Sequence, residues 1–181
     1  MGIFIAIEGI DGSGKTTQAR MLAEWLQTIG KKVILTKEPS SSFWGRFARF
    51  LSGYTSSDIL QRLFAMDRTS HLKNVVSPAL HDGYVVICDR YVLSAIAYSR
   101  DERKAKLRNA RFPAPNLTIV LDVPVEAALK RLKRKKSAFE KTGVLERARK
   151  KYLASKAFII DAKYGPEIVF GKVRARVERL F

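Results

Sequence analysis

The segment "EGIDGSGKTT" sets Gly9, four residues, then Gly14-Lys15-Thr16 directly behind an apolar run and ahead of a helical pattern. That spacing suits phosphate. Glycines let successive backbone N–H groups turn inward around an anion, and the start of the following helix adds its positive end. Donor-nucleotide contacts are therefore expected from Gly9, Ile10, Asp11, Gly12, Ser13, Gly14, Lys15, Thr16 and Thr17. In such a loop the lysine, here Lys15, reaches the β- and γ-phosphates of ATP, and the hydroxyl at Thr16 helps to hold Mg²⁺.

A second chemical stretch is "VVICDRYVLSAIAYS". Asp89 closes an apolar strand, where a second acidic group next to a phosphate loop holds Mg²⁺ directly or through water. Arg90 follows at the sheet edge, where a guanidinium clamps an acceptor phosphate in bidentate fashion. A structural Asp-Arg ion pair is the alternative for the same two residues. The Asn-Lys-x-Asp motif of a GTPase is absent, and "LSGYT" shares only three letters with the signature of a transporter-type ATPase.

These residues need a scaffold. Short apolar runs at Ile3 to Ile7, Lys32 to Thr36, Tyr84 to Cys88, Leu117 to Leu121 and Ala157 to Ile160 read as strands buried on both faces. Between them, residues 15 to 29 carry an apolar stripe of Ala19, Leu22, Ala23, Leu26 and Ile29, stopped by Gly30. Helical spacing recurs over 58 to 80, from Val125 to about Lys135, and from Val169 to Leu180. The alternation predicts an α/β fold: a five-stranded parallel sheet with helices on both faces, in one domain over residues 1–181. Ligands on such sheets bind at the carboxyl ends of the strands.

Lysine and arginine number 34 against 17 acidic residues, a net charge of +17. Nucleic-acid binding, a polyphosphate substrate and a heavily charged thermostable surface all fit that excess. The basic residues are densest in "KRLKRKK" (Lys130 to Lys136) and "RARKK" (Arg147 to Lys151), where a lid over the phosphates is expected. That placement and the lack of a second motor domain argue against a nucleic-acid-stimulated ATPase. The one cysteine, Cys88, sits in an apolar run and reads as a core residue. No apolar run approaches the roughly 20 residues of a membrane span, and "MGIFIAIEG" has neither a basic n-region nor a cleavage site, so a cytoplasmic protein is expected.

With "EGIDGSGKTTQ", "KEP", "LFAMDRTSH" and "DRYVLSAIAY" in this order, the chain resembles the thymidylate kinase family over most of its length. The resemblance implies the nucleoside monophosphate kinase variant of the P-loop fold, phosphorylation of dTMP to dTDP with ATP and Mg²⁺, and a homodimer. It implies catalytic roles for Lys15, Asp11, Arg90 and Arg134, with Asp11 on the acceptor's 3′-hydroxyl. It assigns substrate contacts to Asp11, Lys37, Phe64, Arg68, Arg90, Ser94 and Tyr98, metal contacts to Thr16 and Asp89, and the donor adenine to Arg131. Phe64 would stack on thymine, Arg68 would hydrogen-bond to it, and Tyr98 would favour deoxyribose. By spacing alone, Phe64 and Tyr98 also fit a core, and Arg68 a pairing with a carboxylate. A kinase for another nucleotide or nucleoside is the nearest rival.

Several positions depart from the family pattern. Gly12 stands where one class has a catalytic arginine, so the lid at about 131–147 must supply that charge, with Arg147 or Arg149 as further candidates. Lys37 replaces a frequent arginine and offers a point charge in place of a fork. Ala95 and Ser99 occupy places where relatives often carry amides near the base or sugar.

Overall fold

Alternation along β1 (Ile3–Glu8) divides the core into layers. Ile5 and Ile7 face α1 (Lys15–Thr28) and α9 (Pro166–Val177), joining Leu22, Leu26, Val169 and Val173 in one cluster. Phe4 and Ala6 face the other way, onto Leu72, Val76 and Ala79. The computed structural model describes residues 2–52, 54–132 and 142–181.

The remaining strands are β2 (Val33–Lys37), β3 (Val85–Asp89), β4 (Leu117–Asp122) and β5 (Phe158–Asp161). All pair in parallel, in the order β2-β3-β1-β4-β5. The chain leaves β1 toward one side of the sheet and β3 toward the other. This creates a crevice at their carboxyl ends, where the phosphate loop and Asp89-Arg90 emerge. Arg90 N–H donates to the Ile7 carbonyl at 2.9 Å, tying the two loops together. Burial on both faces holds for the central strands but not for the edges. Leu35 on β2 and Phe158 and Ile159 on β5 are exposed, because an edge strand lacks a full cover of helices.

The helix expected over 58 to 80 is α3 (Ser57–His71), a π-turn (Leu72–Val76) and α4 (Ser77–His81). Pro78 explains the break: it has no N–H to donate, and the widened turn before it relieves the clash of its ring with the preceding turn. The helix from Val125 is α7 (Val125–Arg131), shorter than expected, with Leu132 already extended. Four helices lay outside the predicted set: α2 (Phe43–Leu51), α5 (Val92–Ala97), α6 (Glu102–Asn109) and α8 (Thr142–Leu153). Ser42 caps α2 by accepting from Gly45 N–H at 3.1 Å, and Asp101 caps α6 by accepting from Lys104 N–H at 3.0 Å. The basic run "RARKK" belongs to α8, whose Leu145, Ala148 and Tyr152 are buried. No helix among the described residues is long and apolar enough to cross a membrane.

Candidate active site

The phosphate loop owes its shape to glycines in left-handed conformations, Gly12 (φ 82°) and Gly14 (φ 95°). A Cβ on Gly12 would lie 2.3 Å from the Ala128 carbonyl oxygen of α7. No side chain fits there, so position 12 cannot carry an arginine. Lys15, the first residue of α1, is buried and donates to the Ile10 carbonyl at 2.7 Å. Burial, then the nearby positive charge of Arg90, lowers its pKa to about 8. A lysine that binds phosphate as a cation loses that function as pH rises through its pKa. The value of kcat/KM for ATP is therefore expected to fall above pH about 8, roughly tenfold per pH unit. A flat steady-state profile to pH about 9.5 would contradict this.

Thr16 Oγ1 donates to Asp89 Oδ2 at 2.5 Å, while Asp89 Oδ1 is buried and has no hydrogen-bond partner among the described residues. A carboxylate oxygen left unmet beside a hydroxyl is a donor set of hard oxygens, which fits Mg²⁺.

Arg90 departs from ordinary backbone geometry, with φ 74°. The turn aims its guanidinium back at the phosphate loop. It pairs with the Asp11 carboxylate, donates to Ser94 Oγ at 3.3 Å and lies 5.6 Å from the Tyr98 ring centre. Burial works against its charge, yet Asp11 holds the guanidinium protonated, above its ordinary value. The Tyr98 hydroxyl accepts from Asp11 N–H at 3.2 Å, and burial pushes its pKa up to about 12.

Beneath Arg90 lies a residue the motif reading missed. Glu8 is fully buried at the end of β1 and accepts from Tyr91 N–H at 2.9 Å, from Ser94 N–H at 3.1 Å and from the Ser94 hydroxyl. Tyr152 of α8 lies 2.9 Å from Ser94 Oγ. Burial raises the Glu8 carboxyl pKa, opposed by the Ser94 bonds and the Arg90 charge. An acidic residue ending an apolar strand was the available signal for it.

Asp11, Phe64, Arg68, Arg90, Ser94 and Tyr98 line one cavity of about 260 Å³ between α3 and α5. Phe64 is half-buried, packing on Ala48, Leu60 and Leu63 while bordering the cavity. Arg68 is deeply buried. Its Nε donates to Glu38 Oε2 at 2.7 Å, its Nη2 to the Tyr91 carbonyl at 3.3 Å, and its Nη1 to Asn109 of α6. Its pairing with a carboxylate is thus present. Lys37 stands apart, exposed at the end of β2. It lines a neighbouring hollow of about 500 Å³ with Thr16 and Asp89.

On the far side of the loop, Arg131 Nη2 donates to the Ala162 and Lys163 carbonyls at 3.1 and 3.4 Å, joining α7 to the turn after β5. Arg149 grips Asp122 with two bonds of 2.6 and 2.9 Å, whereas Arg147 is exposed. Arg134 lies outside the described residues. Cys88 is buried and donates to the Arg90 carbonyl at 2.9 Å, as a core residue beside the site.

A phosphate loop, an acidic oxygen pair and an arginine-walled cavity suit phosphoryl transfer between two bound molecules. The thymidylate kinase family model matches residues 7–173. Probable thymidylate kinases of Pyrococcus horikoshii and Pyrococcus abyssi are 42% and 43% identical to this chain, over 82% of it and 78% of their own length. The thymidylate kinase of Clavibacter sepedonicus is 35% identical over 99% of this chain and 96% of its own. The chain belongs to the thymidylate kinase family.

Proposed function

We propose that this protein transfers the terminal phosphoryl group of ATP to dTMP, giving ADP and dTDP. The donor occupies the phosphate loop and the acceptor the cavity between α3 and α5. The position of Arg90 carries this reading: it lines that cavity and is paired with Asp11 of the loop, so a phosphate held by it lies between the two nucleotides. An oxygen of the dTMP phosphate is the nucleophile. It is already ionised at neutral pH, so no general base is needed, and catalysis consists of positioning and charge neutralisation.

Lys15 holds the donor phosphates, and Arg90, with Ser94 beside it, holds the acceptor phosphate. Asp11 takes the sugar 3′-hydroxyl once Arg90 turns to phosphate. Phe64 stacks on the base, and Tyr98 crowds the ribose 2′ position. Arg68 forms the cavity floor and offers guanidinium hydrogens to the base rim. Lys37 serves as a point charge on the phosphate side. Thr16 and Asp89 would hold Mg²⁺, which supplies charge neutralisation at the transferring phosphates. Arg131 and the turn after β5 border the donor adenine. Because Gly12 admits no side chain, the basic segment that includes Arg134 supplies the remaining positive charge.

Acting as a cytoplasmic homodimer is part of the same proposal. Phe43, Phe47 and Phe50 expose one face of α2, and Ile59 and Met66 are exposed on α3, an apolar surface that a second copy would cover. Light scattering should give twice the chain mass, and Phe43→Asp with Phe47→Asp should halve it. An unchanged mass would reject this face. The function itself is tested by ATP consumption with dTMP, dUMP, dCMP, dGMP, UMP and thymidine, identifying each product. Preferred conversion of dTMP to dTDP is expected, and equal turnover of all six would refute the acceptor assignment.

A further inference from the structure

The acceptor cavity contains a polar side chain that none of the roles above uses. Gln61 lies on α3, three residues before Phe64 and seven before Arg68, so the three share one helix face and border one cavity. The side chain is only 8% exposed. Its Nε2 donates to the Ala95 carbonyl of α5 at 3.1 Å. A carbonyl only accepts, so this bond fixes which end of the amide is nitrogen. The other end, Oε1, is buried and has no hydrogen-bond partner among the described residues. A buried acceptor without a donor carries a desolvation cost that an incoming N–H removes.

We infer that Gln61 reads the base: its Oε1 accepts the N3–H of thymine. The inference rests on the base site proposed above. Stacking on Phe64 leaves the rim of the base to be read by polar groups. Of the polar side chains that α3 places on this cavity, Asp67 is bonded to Ser40 and Ser42, and Arg68 to Glu38, Asn109 and the Tyr91 carbonyl. Gln61, by contrast, keeps an acceptor without a partner among the described residues. Oε1 is covered as the side chain stands, and turning the terminal amide about its soft two-fold torsion would carry Oε1 toward the cavity and Nε2 off the Ala95 carbonyl. Thymine and uracil present N3–H as a donor. Cytosine presents a lone pair at N3, which would meet the lone pairs of Oε1 and be rejected. Ala95 opposite contributes a methyl group and the carbonyl already bonded to Gln61, so base selection falls to α3.

The test compares dTMP with its N3-methyl derivative, which has no N3–H. The unmodified protein is expected to use N3-methyl-dTMP at least 100-fold less well in kcat/KM, in keeping with sites built to hydrogen-bond a substrate N–H. Gln61→Leu and the near-isosteric Gln61→Met should lower kcat/KM for dTMP about tenfold, mainly through KM, and bring the two substrates within a few-fold of each other. A discrimination ratio that stays at the unmodified value in both variants would overturn the inference and leave Gln61 as a brace between α3 and α5. Failure of the base site itself is read separately. In that case Phe64→Ala leaves KM for dTMP unchanged, and the unmodified protein accepts both substrates alike.

Discussion

Arg90→Ala is expected to lower kcat/KM for dTMP by roughly 10³-fold, the scale seen when a charge-stabilising donor is removed from a phosphoryl or acyl transfer site. The loss should fall on kcat as well as KM, because the guanidinium both binds the acceptor phosphate and offsets charge during transfer. It should leave KM for ATP nearly unchanged, since Lys15 and the loop amides hold the donor. The substitution also takes the Arg90 cation away from the Asp11 carboxylate, which stands beside two anionic substrates. Arg90→Lys should recover little, because a point charge cannot replace the fork that spans Asp11 and Ser94 Oγ. Steady-state kinetics in both substrates check this. Full activity in Arg90→Lys would show that charge alone suffices.

The second large effect is on stability. Arg68 pairs with Glu38 at 2.6 Å, and the two side chains are 3% and 5% exposed. Buried pairs contribute little net stability when intact, but removing one partner strands the other charge at a cost of about 3–5 kcal/mol. Arg68→Ala should therefore lower the melting temperature by about 10 °C in a chain of this size. His71 lies 3.2 Å from Glu38 Oε1 and does not replace the Arg68 bond to Oε2. Removing both charges, as Arg68→Ala with Glu38→Ala, should restore part of the loss, and the difference measures the coupling. A single variant with unchanged melting temperature and a raised KM for dTMP would show instead that Arg68 acts only on the base.

These residues show how far the sequence could be read. The phosphate loop was legible because its chemistry is local: Gly9, Gly14, Lys15 and Thr16 are neighbours in the chain, and backbone geometry alone makes the cradle. The five strands were legible for the same reason, each being a short apolar run. Asp89 and Arg90 needed only their place at a strand end. What escaped depends on contacts between distant segments. That Arg68 of "LFAMDRTSH" fits a pairing with a carboxylate was legible, but nothing nearby names the partner as Glu38, thirty residues earlier, or points to Asn109, forty-one later. α6 is strongly charged, and only Ala105 and Asn109 are buried, so no apolar stripe marks it. α8 was hidden by its basic residues, although Leu145, Ala148 and Tyr152 lie at helical spacing. Lys37 sits in the hollow with Thr16 and Asp89, a division of the site that no spacing rule encodes.

The central claim is that the cavity between α3 and α5 holds the acceptor while Arg90 holds its phosphate. The most direct measurement is a crystal structure with dTMP and ADP bound. The expected result has thymine stacked on Phe64, the dTMP phosphate within hydrogen-bond distance of the Arg90 guanidinium, and the sugar against Tyr98. Thymidylate bound in the hollow beside Lys37, with Arg90 still paired to Asp11 and the cavity empty, would contradict it.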